Sequence, residues 1–403
     1  MKVLFLAPRF PLPADTGGKI RTYNLIKQIA KFAELYVVCF SFHSEDRAQV
    51  AEFEKLGVNL TLIPMTGVPL IKRMAMVLDS VPYSVAKYHS SEMAKTVALL
   101  VDKHQFDLVH VDHIHMAHYQ KGFETVPRLI DEHNVEHKIL ERCGNVERTW
   151  WKQQLYFNQA SKMKRFEAKA IPQFSACTAV SEDDASILRE ISRDSVPVYI
   201  LPNGVDTEFF NPIFSGSSLS QEEEAVVFTG SMDWLPNEDA ALYFIRAILP
   251  LVWQQNPQVK FYVVGTNPSS ALLQAGNNEK RIVVTGRVED VRPFVAKSKV
   301  FVTPLRIGGG TRLKILEAMA MEKAIVSTSI GAEGISYTDE QDIVIADRPQ
   351  EFAKKVLSLM TTPEKRKNLG KAGRRLVLEK YDWGIMGRKL QHIFEGLIHG
   401  KEK

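Results

Sequence analysis

Cysteine is scarce: Cys39, Cys143 and Cys177 are the three in 403 residues, an odd number with no CxxC spacing. That excludes a disulfide framework and a zinc ribbon and fits a reducing cytosol. No apolar run reaches the ~18 residues a membrane-spanning helix needs. The opening segment, residues 1–6, is apolar, but Pro8, Arg9, Pro11 and Pro13 interrupt it and no small-residue cleavage site follows, so it reads as a buried first strand. An excess of one charge is also lacking. Lys and Arg number 51 against 47 Asp and Glu; residues 1–200 hold 25 basic and 23 acidic, leaving 26 and 24 for the rest. No basic domain is available to neutralise a nucleic-acid backbone, so no nucleic-acid partner is expected. Neither a GxGxxG dinucleotide fingerprint nor a GxxxxGK[ST] P-loop occurs. What remains, 45% hydrophobic and 24% charged, is the composition of an ordinary globular protein long enough for two domains.

Short apolar runs alternate with amphipathic stretches. Strands are expected at 3–7, 35–40, 60–64, 108–111, 128–131, 176–180 and 198–201, and again at 225–229, 259–264, 282–285, 300–304 and 324–328. Helical patterns lie between them, among them 19–32, 48–56, 91–104, 183–191, 239–253 and 311–321. Continuous apolar strands alternating with helices predict parallel sheets covered on both faces, here two doubly wound α/β domains. The turn-rich 201–206 segment and the polar connector 211–224 place the boundary near Pro202, giving domains 1–201 and 202–382. Ligands of such sheets bind at the carboxyl ends of the strands, so a site in a cleft between facing sheets is expected.

Two glycine-rich turns carry the chemistry. Asp15-Thr16-Gly17-Gly18-Lys19 follows the first strand and opens a helix, where bare backbone amides suit an anion. Gly308-Gly309-Gly310-Thr311-Arg312-Leu313-Lys314 follows another strand. Cations at a helix N-terminus oppose the helix dipole, and a bound diphosphate would offset that. Glu317, one and a half turns on, is placed to accept hydrogen bonds from ribose hydroxyls. His133, after the 128–131 strand, is a candidate polar contact or acid/base group. His110, His113, His115 and His118 cluster beside Asp112 without a second ligand pair, which reads as a hydrogen-bonded wall rather than a metal site. Residues 138–170 hold eight Lys or Arg against three Glu, interleaved with Trp150, Trp151, Tyr156, Phe157 and Phe166. Two readings stay open there: a basic amphipathic surface resting on an anionic membrane, supported by the apolar-basic stretch 70–88, or a helix packing its aromatics on its own sheet.

Leu201-Pro202-Asn203-Gly204-Val205-Asp206, Phe228-Thr229-Gly230, Gly286-Arg287-Val288 and the glycine-rich loop ending in Leu316-Glu317-Ala318-Met319-Ala320, in this order, resemble family 4 glycosyltransferases of the GT-B fold, with two Rossmann-like domains facing a central cleft. The resemblance covers nearly the whole chain and is nearest to sugar transferases of bacterial exopolysaccharide clusters. It implies retaining transfer of a sugar from a nucleotide-diphosphate sugar to a glycan, lipid-linked or small-molecule acceptor, with no metal and no further cofactor. The implied location is the cytoplasm, including the inner face of the plasma membrane. By the same resemblance Gly17 and Gly18 approach the donor phosphates, His133 meets the transferred sugar, Glu317 holds the ribose, and Arg287 and Val288 lie by the base. The helix from about Trp383 crosses back to the first domain. The family's first EX7E glutamate falls on Gly309, and its usual Arg and Lys fall on Ser231 and Asn237 beside Gly230. Arg312 and Lys314 are expected to replace those two cations. The alternatives are a same-fold epimerase or phosphorylase, or a non-catalytic nucleotide-sugar-binding module.

Overall fold

The computed structural model describes all residues except 43–47, 66, 68, 121–122, 124, 148, 215–221, 309–311 and 401–403, with 70–73 described as backbone only. It divides into two compact units: Met1–Pro202 together with the chain from Trp383 onward, and Asn203–Asp382.

The first unit is built on seven strands: β1 (Lys2–Ala7), β2 (Glu34–Ser41), β3 (Asn59–Pro64), β4 (Leu108–Asp112), β5 (Arg128–Asp131), β6 (Ala176–Ala179) and β7 (Val198–Ile200). They are parallel, in the order β3-β2-β1-β4-β5-β6-β7. β1 is buried from Val3 to Ala7 and all five residues of β4 are buried, as expected of strands covered on both faces. The helix Gly17–Ile29 buries Arg21, Thr22, Leu25, Ile26, Gln28 and Ile29, an i, i+4, i+8 stripe with a charged first member. Ser90 and Ser181 cap the helices Ser91–Lys103 and Glu182–Ser192 by accepting from the Met93 and Asp184 amides. The helix Trp383–His399 packs on the helix Gly17–Ile29, where a Cβ on Gly387 would meet Gln28 at 2.8 Å.

The second unit holds β8 (Glu223–Thr229), β9 (Lys260–Val264), β10 (Ile282–Gly286), β11 (Ser298–Thr303), β12 (Ala324–Ser327) and β13 (Val344–Ile345), parallel in the order β10-β9-β8-β11-β12-β13. Both units are thus doubly wound sheets whose order reverses once, between β1 and β4 and between β8 and β11. The helix expected at 239–253 begins earlier, at Leu235, and is interrupted: Phe244–Ile248 is a π-helical turn between Leu235–Tyr243 and Leu249–Gln255. Pro250 explains the interruption, because it supplies no amide and its ring crowds the preceding turn. Val205 joins the end of this unit, its amide donating to the Tyr381 carbonyl at 2.7 Å.

Candidate active site

In the first unit the charged groups gather at the carboxyl ends of β4 and β5, beside the reversal point. Asp112 ends β4 and Asp131 ends β5. Arg21, one turn into the helix after Gly17 and Gly18, grips Asp131 with two hydrogen bonds, Nε to Oδ2 at 2.9 Å and Nη2 to Oδ1 at 2.6 Å. Its Nη2 also donates to the Leu201 carbonyl, and the Thr178 hydroxyl donates to Asp131 Oδ1 at 2.5 Å. Thr22 donates to Asp112 Oδ2 at 2.7 Å. His133 Nε2 lies 2.8 Å from Asp112 Oδ1 and 3.3 Å from Asp131 Oδ2. Burial works against charge on His133, but Asp112 and then Asp131 outweigh it and push the imidazole up to about 9. Burial also opposes ionisation of Asp131, yet Arg21 and His133 hold its carboxyl well below the usual range.

His133 is therefore an imidazolium at neutral pH, able to donate hydrogen bonds and unable to take a proton. Its Nδ1 lies 3.8 Å from where a Cβ on Gly18 would stand, ordinary contact distance, so the ring's second nitrogen borders the exposed start of that helix. Because the folded state raises this pKa above the unfolded ~6.5, the stabilisation is complete below pH 6.5 and is lost as pH rises to about 9. Chemical denaturation of the wild type and of His133→Gln across that window should converge by about 3 kcal/mol, the linkage value of the shift. Parallel curves would show that His133 is not held charged.

The histidines stack as rings rather than forming the expected hydrogen-bonded wall, and both ring nitrogens of His110 are buried without a hydrogen-bond partner among the described residues. His110 stacks on Phe5 at 4.4 Å and is fully buried; burial pulls it down to about 4, despite Asp131 and Asp112. His113, at φ +80°, faces Glu136 at 3.5 Å. His115 stacks on His113, and His118 stacks on His89. Potential ligand atoms of His110, Asp112 and Asp131 come within 4.8 Å of one another. Their carboxylates, however, are already engaged by Arg21, Thr22, Thr178 and His133, and a dication there would face a buried guanidinium.

In the second unit the equivalent place is the end of β8 and the helix after β11, Leu313–Ala320. Lys314 Nζ donates to Asn237 Oδ1 at 2.6 Å and sits 4.0 Å over the Phe228 ring. Asn237 Nδ2 in turn donates to the Ser231 carbonyl at 2.9 Å. A Cβ on Gly230 would meet Asn237 at 2.7 Å and the Lys314 ammonium at 2.8 Å, so that residue must be small for the lysine to lie where it does. Lys314, from the first turn of the helix after β11, thus meets position 237, where the resemblance expects a lysine. Burial lowers Lys314 to about 7, helped by Arg312 and opposed by Glu317. Burial raises half-buried Glu317 to about 7, opposed by Lys314.

Arg312 turns elsewhere. Its guanidinium leans over Gly308, donates to the Ile330 carbonyl at 3.4 Å and lies 3.6 Å from Glu333. Gly308 leaves it room, since a Cβ there would fall 2.2 Å from Nη2. Gly309, Gly310 and Thr311 lie outside the described residues. Arg287, exposed, and Val288 follow the edge strand β10, two strands from β8.

Sequence reasoning missed Arg21, Thr22, Asp131 and Gly265. Gly265 follows β9 directly; a Cβ there would strike the Gly230 carbonyl at 1.8 Å, and the Ser231 hydroxyl pairs with Thr266 at 2.9 Å. A glycine directly after a buried strand was the available signal.

Two family models match, one to each unit. The model described as Glycosyltransferase Family 4 matches residues 16–209, and the one described as Glycosyl transferases group 1 matches residues 223–362. The chain belongs to the family 4 glycosyltransferases. An uncharacterized 44.6 kDa protein in the cps region of Klebsiella pneumoniae is 20% identical over 94% of this glycosyltransferase and 96% of its own length. The UDP-Gal:alpha-D-GlcNAc-diphosphoundecaprenol alpha-1,3-galactosyltransferase of Escherichia coli is 26% identical over 40% of this chain and 44% of that protein. Among solved structures, Anabaena HepE in complex with UDP and glucose superposes with a TM-score of 0.70 at 14% identity, over 98% of this chain and 99% of that one. The shared fold is GT-B, two Rossmann-like units.

Proposed function

We propose that this glycosyltransferase moves a sugar from a nucleotide-diphosphate sugar to a glycan or lipid-linked acceptor, with retention of anomeric configuration and without a metal. The observation that carries the donor reading is the Lys314 ammonium, fixed on Asn237 beside Gly230 at the reversal point of the second sheet. A leaving nucleoside diphosphate gains negative charge as the glycosidic bond breaks, and a preorganised cation stabilises that charge in the transition state. The glycines of the 308–310 sequence and Arg312 are assigned to the same diphosphate, and Glu317 to the ribose. Gly17 and Gly18 border the donor phosphates, and the His133 imidazolium donates to the transferred sugar. The lipid-linked acceptor class is supported by the undecaprenol-linked substrate that the E. coli relative's name specifies, and by the cps-region relative.

A thermal-shift screen with UDP, GDP, ADP, dTDP and CDP tests the reading. One diphosphate at ~100 times its dissociation constant should stabilise the protein by about 2.7 kcal/mol, equally in EDTA, and Glu317→Ala should weaken the shift. No shift with any of the five would overturn the donor assignment. A shift that requires added magnesium would overturn metal independence alone, and proton NMR of the product's anomeric signal decides retention.

A further inference from the structure

The surface of the first unit carries an apolar and cationic face outside the Asp112, Asp131 and His133 cluster. Of fourteen exposed large apolar side chains among the described residues, five lie on two helices: Met74 and Leu78 on Leu70–Leu78, and Trp150, Trp151 and Leu155 on Trp150–Ala170. Leu78 is 84% exposed and Trp150 74%. Of the two readings left open by the sequence, packing of the aromatics on the sheet holds for Phe166, which lies against the core, and fails for both tryptophans. The two helices are joined. Lys162 Nζ and Gln159 Nε2 both donate to the Val77 carbonyl, at 2.8 and 3.2 Å, and Gln159 is one turn beyond Leu155.

The charge around these side chains is predominantly positive. Lys152, Lys164, Arg165 and Lys169 are exposed along the longer helix, while its single carboxylate, Glu167, is buried against His137. The shorter helix has no acidic residue in its sequence; Asp79 follows it, accepting from the Ser80 amide. We infer that this two-helix face docks on an anionic lipid bilayer, with the tryptophans and leucines entering the headgroup boundary and the four cations meeting lipid phosphates. Exposed tryptophan beside lysine and arginine is the composition such an interface selects, since the indole is apolar with one polar edge. A second copy of the chain is a poor occupant, because a two-fold contact would set the same cations against one another. The inference is independent of the donor reading, because it is tested without donor.

Co-sedimentation of the full chain with extruded vesicles is the experiment. Binding is expected to phosphatidylcholine vesicles containing about a third phosphatidylglycerol, to be weaker on pure phosphatidylcholine, and to fall with added salt. Trp150→Ala with Trp151→Ala, and separately Lys164→Glu with Arg165→Glu, should each lower the partition coefficient about tenfold at unchanged circular dichroism. Should either pair fail to fold, Leu78→Gln serves in its place. Absent pelleting with anionic vesicles overturns the proposal, as do equal pelleting on neutral ones and binding indifferent to the variants. So does a vesicle-free dimer that the tryptophan substitutions dissociate.

Discussion

Replacing Arg21 with alanine should cost about 3–5 kcal/mol of stability, read as a lower urea midpoint for the first unit. The guanidinium is 1% exposed and Asp131 fully buried. Its bonds to Asp131 and to the Leu201 carbonyl join residues 110 and 180 positions apart. Removing it leaves a carboxylate in the interior with one compensating charge, His133, and a weakened clamp between the first helix, β5 and the chain after β7. The cost therefore comes mainly from the stranded partner and much less from the pair itself. Asp131→Asn should be severe for the reciprocal reason. The double substitution Arg21→Met with Asp131→Leu should recover part of the loss, because an apolar pair of similar volume avoids the desolvation of two ions. Asp131 also predicts an acid limb: its depressed pKa contributes stability above the unfolded value of ~3.9 that is lost as pH falls below it, and that limb should shrink in Arg21→Ala, where His133 alone still opposes protonation. A loss under 1 kcal/mol for Arg21→Ala would mean that the pair behaves as an exposed one.

The parallel architecture was legible because a strand covered on both faces must be apolar at every position, a signal that survives without any partner sequence. Twelve of the strands follow from such runs, whereas β13, a two-residue pairing of Val344 with Val326 and Ile345 with Ser327 inside the short apolar stretch 343–346, was not among those expected. The site was legible where chemistry is local. Gly17-Gly18 and the 308–317 stretch pair glycine with charge inside one turn of chain. Where chemistry is distant it needed the family resemblance: Lys314 meets Asn237 across 77 positions, and the cation missing at 237 was what pointed to the lysine. Gly265 gains its meaning once the Gly230 carbonyl is known to lie on top of it. For residues 138–170, periodicity showed a helix rich in aromatics and cations but could not show which rings face the core.

Both sheets use the same device at their reversal points. A glycine in the segment after a central strand, Gly18 at the start of the helix after β1 and Gly230 directly after β8, lies beside a cation from another element, His133 in one unit and Lys314 in the other; only at Gly230 would a Cβ collide with it. The cations differ in how they are held. His133 is fixed by two carboxylates and remains charged without any ligand, whereas Lys314 rests on a neutral amide and an aromatic face. The first is preorganised; the second has a charge that an anionic ligand would complete.

That difference sets the remaining expectation. Lys314→Ala should lower kcat/KM for transfer by about 10²–10³, roughly 3–4 kcal/mol, the loss typical when one preorganised donor to a developing charge is removed. Gly230→Ala gives a control that keeps the lysine but moves it, since the added Cβ would lie 2.8 Å from its ammonium, and it should fall in the same direction. The pH dependence carries the sign. Burial sets free Lys314 near 7, so above that pH diphosphate binding must take up a proton. The association constant should then drop by up to tenfold per pH unit, until the pH reaches the lysine's pKa in the complex. Glu317 titrates over the same range, so the slope is best read in Glu317→Gln, where only the lysine contributes. Calorimetry in two buffers of different ionisation enthalpy would register the proton uptake directly. In that Glu317→Gln background, Lys314→Ala should show weaker affinity with no slope. An unchanged kcat/KM in that variant, or a slope that persists without the lysine, would place the diphosphate somewhere other than beside Gly230.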